Sequence, residues 1–180
     1  MKIVFVDLND QFRLIPDSAL LLKNRPFFKP DYVQVLHAKV ALVVKINRLG
    51  KYIQEKFAGN YYDEIGVAVN FYDKVALDVQ IEKGFPWECA TCFDGSFALS
   101  EFVKISQDVS TLSVNEMGTF SLSCVLHQIS NIIARLSTYM TLKIGDYIAI
   151  EVVEYPTALQ INDAVRLALN DIEMLHIAVK

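Results

Sequence analysis

The chain has 180 residues, the length of one domain with a sizeable core. Its apolar fraction of 53% exceeds the usual share, so a thick β-rich core or a subunit interface must cover the surplus. A net charge of −4, with no basic stripe among aromatics, gives phosphate-backbone binding little electrostatic support. No apolar run approaches the length of a membrane-spanning helix. The Met1–Asp7 segment is too short and too soon charged for a secretory signal. Three cysteines, an odd number, then point to a reducing cytoplasm.

Taken in chain order, Lys2 to Val6 reads as a short buried strand. Pro16, Pro26 and Pro30 predict turns and extended pieces. Val40 to Ile46 is a strand, closed by a turn at Asn47-Arg48-Leu49-Gly50. The spacing of Ile53, Phe57 and Tyr61 predicts a helix over Tyr52 to Glu64, followed by a strand from Ile65 to Phe71. Glu82 to Gly95 reads as a loop, and Phe102 to Ile105 as another strand. The clearest helix spans Leu126 to Met140, where Ile129, Ile132, Ile133 and Leu136 make an i, i+3, i+4, i+7 stripe. After a turn at Lys143 to Asp146, strands are expected at Tyr147 to Val153, Ala164 to Leu169 and His176 to Val179. No linker or repeat divides the chain, so residues 1–180 are expected to form one β-rich α+β domain.

Several phrases occur in the order of one known family. They are Ile15-Pro16-Asp17-Ser18-Ala19-Leu20-Leu21 and Arg25-Pro26-Phe27-Phe28-Lys29-Pro30-Asp31, then Gly50-Lys51, Glu55-Lys56-Phe57-Ala58 and Tyr61-Tyr62. Lys83-Gly84-Phe85-Pro86-Trp87-Glu88, Phe93-Asp94-Gly95-Ser96 and Tyr139 to Asp146 follow. Together they resemble the fumarylacetoacetate hydrolase family, in particular its smaller acylpyruvase and diene-dioate isomerase members. The resemblance implies a mixed β-roll or sandwich fold of that family's C-terminal-domain type, and a homodimer. It also implies hydrolysis, decarboxylation or isomerisation of small keto-acids by one Mg²⁺ or Mn²⁺ on three carboxylates. A hard cation takes oxygen ligands and stabilises an enolate.

This chain departs from the resemblance at each catalytic position. Lys39 and Ala41 stand where a Glu-x-Glu step would supply two ligands, and Asn70 stands at the third. Asp73 is a substitute carboxylate, but three steps along a strand from Asn70 it falls on the opposite face. Thr91 replaces the substrate-side lysine, and Ile150-Glu151-Val152-Val153 replaces a Thr-Gly-Thr-Pro turn. The passage from Val6-Asp7-Leu8-Asn9 to Phe12-Arg13-Leu14 leaves no room for the family's lid. The resulting expectation is a lost Mg²⁺/Mn²⁺ site with no other cofactor. The chain would be a non-catalytic homologue whose partner is an active paralogue or a small ligand. The alternative is a divergent hydrolase, isomerase or decarboxylase of a small keto-acid, using Asp73, Glu151 or His37 in new roles.

The remodelled pocket is expected to gather His37, Lys39, Asn70, Asp73, Thr91 and Glu151, with Glu151 pairing Lys39 across the old site. His37 reads as a hydrogen-bonded structural imidazole beside it. Cys89 and Cys92, with Cys124 and His127, mimic a zinc-binding set. The alternative for Cys89 and Cys124 is the role of small core residues.

Overall fold

The structure, a computed structural model, describes residues 1–22, 25–105 and 109–180. In chain order the elements are β1 (Ile3–Val6), β2 (Phe12–Ile15), β3 (Leu20–Leu22), β4 (Leu36–Ile46) and β5 (Tyr62–Asp73). Helices α1 (Lys74–Lys83) and α2 (Glu88–Thr91) precede β6 (Phe97–Leu99), β7 (Val103–Lys104), β8 (Thr111–Val114) and β9 (Gly118–Ser121). Helix α3 (Ser123–Tyr139) leads to β10 (Tyr147–Glu154), β11 (Ala164–Leu169) and β12 (Ile172–Ala178).

The larger sheet runs β2-β1-β10-β4-β5-β6-β3, with β7 also on β5; the smaller runs β12-β11-β8-β9. The β1–β10 and β3–β6 pairs are parallel and the rest antiparallel, which makes this a mixed, β-rich half-barrel with few helices. The long β4–β5 ladder is its spine, and side chains alternate across it. Val40, Leu42 and Val44 of β4 and Val67, Val69 and Phe71 of β5 face one way. On that side they meet the Ile129, Ile132, Ile133 and Leu136 stripe of α3 and Leu112, Val165 and Leu175 of the small sheet. Ala41, Val43 and Ala68 face the other way and pack with Ile3, Phe5, Ile15 and Phe97. The apolar surplus thus fills two cores, one on each face of the large sheet.

Two expectations fail for local reasons. Over 52–64 there is no α-helix: a 3₁₀ stretch covers Glu55–Tyr61 and β5 already begins at Tyr62. Ile53 and Tyr61 share a face because they close over Gly50, where any Cβ would lie 2.4 Å from the Tyr61 ring and 2.7 Å from Ile53. Phe57 points outward. Conversely, α1 was not anticipated and runs into the region read as a loop, because none of its residues is buried and it shows no apolar stripe. Its ends carry the signal instead. The Asp73 carboxylate accepts from the N–H of Val75 and Ala76, and Gly84 closes the helix at φ +66°.

Candidate functional site

The polar residues of the second face gather at one end of the large sheet. Register sets this up. Lys39 of β4 lies opposite Asn70 of β5, and His37 opposite Tyr72. On the other side of β4, Glu151 lies opposite Ala41 and Glu154 opposite Lys39. Residues three apart on a strand normally face opposite ways, but a bulge between Glu151 and Val153 brings both carboxylates to the same lysine. The Lys39 ammonium stands 3.0 and 3.2 Å from the Glu151 oxygens and 3.7 Å from Glu154. The expected pair is therefore present in the geometry.

Glu151 is only 2% exposed. Burial pushes its carboxyl above the ordinary range, while Lys39 pulls against that shift. Tyr72 donates its O–H to Glu154, and burial together with that bond pushes the phenol upward.

A tight hairpin supplies the next wall. Strands β1 and β2 pair directly, with the Asp7 carboxylate accepting from the N–H of Asn9 and Gln11. This register sets Arg13 opposite Phe5, its guanidinium 4.2 Å above the Phe5 ring. Its Nη2 donates to the Asn70 side-chain oxygen at 2.7 Å, and its Nε is buried with no partner. Burial lowers the guanidinium's pKa, against the pull of Cys92, Glu151 and Asp7. The Asn70 amide nitrogen donates to the carbonyls of Thr91 and Ser96 at 3.1 and 3.2 Å. The Thr91 hydroxyl is spent locally on the Trp87 carbonyl at 3.0 Å.

A cavity of about 160 Å³ opens among these groups. Arg13, Lys39, Asp7, Tyr72 and Thr91 form its polar wall, and Leu77, Ile81 and Trp87 from α1 and the loop after it form its apolar wall. A larger cleft of about 630 Å³ lies between the β1–β2 turn and α3, by Asp10, Cys124 and His127. The smaller cavity is the one that holds Lys39 and Thr91, the positions the resemblance marks.

Lys39, Asn70, Thr91 and Glu151 thus come together, with Ala41 beside them in register. Of the six residues expected in the pocket, Lys39 and Thr91 line the small cavity, whereas Glu151 lines the larger cleft and Asn70, Asp73 and His37 line neither. Asp73 is absent from the cavity wall; its carboxylate accepts from Gln34 and Val35 N–H at 3.0 and 3.3 Å and from the start of α1. Four backbone donors make it a structural clamp at the strand–helix junction. His37 shares the Lys39 face and sits 5.8 Å from the Tyr72 ring, but its buried Nδ1 has no hydrogen-bond partner, unlike the satisfied imidazole expected.

The zinc set is not assembled. Among the described residues no group of three His, Cys, Asp or Glu side chains could hold a metal. Cys92 packs against the second core, whereas the buried stripe of α3, the helix of Cys124 and His127, belongs to the first. Nor do Cys89 and Cys124 fill the core, since both are exposed.

Arg13 and Tyr72 were missed by sequence reasoning. A charged residue alternating with Phe12 and Ile15's neighbours in a short apolar segment was the available signal for Arg13.

The fumarylacetoacetate (FAA) hydrolase C-terminal family matches residues 7–180. The chain belongs to this family. An oxaloacetate tautomerase of Escherichia coli K12 is 28% identical over 144 residues, covering 74% of this chain. The chain spans only 65% of that relative's length. A putative fumarylacetoacetate hydrolase family protein from Yersinia pestis CO92 superposes with a TM-score of 0.86 at 21% identity, over 99% of this chain and 92% of that one. Fumarylpyruvate hydrolase from Pseudomonas aeruginosa, solved with Mn²⁺ and pyruvate, gives 0.83 at 16% identity, over 100% and 90%. At these identities the structural likeness speaks for the fold.

The three positions that the resemblance marks for a divalent cation do not fit one here. Lys39 presents an ammonium, Ala41 a methyl, and the Asn70 oxygen is already held by a guanidinium. An entering ion would meet the Lys39–Glu151 ion pair and the Arg13 guanidinium where the ligand carboxylates would stand.

Proposed function

We propose that this family member performs no metal-dependent keto-acid chemistry and has a binding or structural role built on the inherited scaffold. One observation carries the reading: Lys39, at a ligand position, is locked to the buried Glu151 carboxylate at 3.0 Å. Catalytic metal chemistry needs an open cation site, and this one is filled by its own ion pair. The test is turnover of oxaloacetate enol and of an acylpyruvate, followed by ultraviolet absorbance, with Mg²⁺ or Mn²⁺ added and in chelator. The expected rates equal those of buffer, with an active tautomerase as the positive control. Metal-stimulated turnover refutes the proposal.

A second reading is a metal-independent keto-acid isomerase. The matched relative named an oxaloacetate tautomerase favours it, as do the Tyr72–Glu154–Lys39 contacts. Keto–enol interconversion needs only a proton moved between carbon and oxygen, which a tyrosine–carboxylate–lysine relay can do. Turnover that survives chelation and disappears in Tyr72→Phe would establish it.

The homodimer also remains a proposal. Leu49, Tyr52, Tyr139 and Ile144 are exposed near the Gly50–Leu142 backbone bridge, an apolar surface suited to a second copy. Sedimentation equilibrium decides it: twice the chain mass supports the dimer, and one chain mass refutes it.

A further inference from the structure

We infer that Cys89 and Cys92 are a reversible thiol–disulfide pair, a modification site whose oxidant is a small-molecule disulfide. The inference goes beyond the preceding proposal and holds whether or not the neighbouring cavity turns over a keto-acid.

Helix α2 sets the two cysteines three residues apart on a single turn. Cys92 closes that turn, its N–H donating to the Glu88 carbonyl at 2.8 Å. Helical rise and radius then place the two Cα atoms about 5 Å apart, inside the span of about 4.4–6.8 Å that a disulfide bridges. The helix has four residues, and Cys92 already departs from it at φ −128° and ψ 30°, so little regular structure opposes the final adjustment.

The two surroundings differ in the way a two-step exchange requires. Cys89 is exposed, its sulfur accepting from the Gln80 side-chain amide at 3.2 Å. Cys92 is half-buried against the second core, 3.4 Å from the Thr91 hydroxyl and 3.8 Å from the Leu14 carbonyl of β2. Burial pushes its thiol up, while Thr91 and Arg13 pull it down. The accessible Cys89 thiolate therefore attacks the small disulfide first. The reagent's S–S bond breaks, a mixed disulfide forms on Cys89, and one thiolate leaves. Cys92 then attacks the Cys89 sulfur and expels the second thiolate. Two electrons pass from the cysteines to the reagent, and its two thiolates take up the two thiol protons.

The pair is coupled to the polar wall of the small cavity. To reach Cys89, the Cys92 sulfur must leave Leu14 and Thr91. The Thr91 carbonyl accepts from the Asn70 amide at 3.1 Å, and the Asn70 oxygen accepts from Arg13 at 2.7 Å. Trp87, the chain's one tryptophan, lines the same cavity, and its carbonyl accepts from the Thr91 hydroxyl. Oxidation thus moves the wall beside a built-in fluorophore.

The experiment titrates the full reduced chain with oxidised glutathione, quenches by alkylation, and reads intact and peptide masses together with Trp87 emission. The expected product is a Cys89–Cys92 disulfide with glutathione retained on Cys124 alone, whose exposed thiol lies on α3 and serves as the internal control. Trp87 emission should change in step and return with a dithiol reductant. Cys92→Ala should trap glutathione on Cys89. Cys89→Ser, at an exposed position, should slow oxidation of Cys92 by about tenfold or more. A parent chain that accumulates glutathione on Cys89, or that stays reduced at Cys89 and Cys92 while Cys124 is modified, overturns the assignment. So does an unchanged rate at Cys92 in Cys89→Ser. A disulfide that forms without changing Trp87 emission overturns the coupling to the cavity wall.

Discussion

Replacing Lys39 by methionine removes the ammonium while keeping most of the stem's volume. Glu151, 2% exposed, is then left with no cation at 3.0 Å. It can remain ionised in a poorly hydrated site or take up a proton. Starting from an ordinary value of 4.5, holding a carboxyl neutral at pH 7 costs about 2.5 units at 1.36 kcal/mol each, or about 3 kcal/mol. The folded state takes whichever cost is lower, so about 3 kcal/mol is the ceiling and the expected loss. The sign with pH follows from the raised carboxyl. The folded variant binds a proton that the unfolded chain does not, so the loss shrinks as pH falls toward 4.5 and is under about 1 kcal/mol at pH 5. Urea unfolding at pH 7, 6 and 5 measures this directly. Adding Glu151→Gln should recover most of the loss at pH 7, since a buried pair replaced on both sides is close to neutral. A loss that is the same at all three pH values, or a double variant no better than Lys39→Met, would refute the reasoning.

Asp73→Ala removes a helix cap and leaves the N–H groups of Gln34 and Val35 unpaired, so urea unfolding should show a loss of about 3 kcal/mol. Asp146 is pushed up by burial, but bonds from Lys2 and from the backbone of Lys143 and Lys2 outweigh this and lower it below 3.8. Its contribution is therefore present above pH 3.8 and lost as pH falls through the lower folded value. Asp146→Asn should reduce the urea midpoint at pH 7 and progressively less below 3.8. With a thiol reagent at pH 8, Cys89 and Cys124 should label quickly. Cys92 should lag, because burial pushes its thiol up despite Thr91 and Arg13.

The cores were legible because burial and periodicity coincide there. The α3 stripe and the β4–β5 runs had one way to hide their apolar atoms. Helix α1 was not, since it buries nothing and declares itself only through Asp73 and Gly84. Short strands such as β3 and β6 hold three residues each, too few to show a period of two. In the candidate site, the Lys39–Glu151 contact followed from two charges of opposite sign placed where matching strands meet. Arg13 did not follow, because its meaning depends on the β1–β2 register and on Asn70, 57 residues away. The bulge that turns Glu154 toward Lys39 is likewise a property of pairing rather than of sequence spacing.

The claim that charge pairs have taken the place of the family's cation is tested most directly by titrating the protein with Mn²⁺ and reading free ion by electron paramagnetic resonance. The account predicts no stoichiometric binding in the parent protein. One tightly bound Mn²⁺ per chain, released by chelator, would contradict it and would return the metal-dependent keto-acid enzymes to first place.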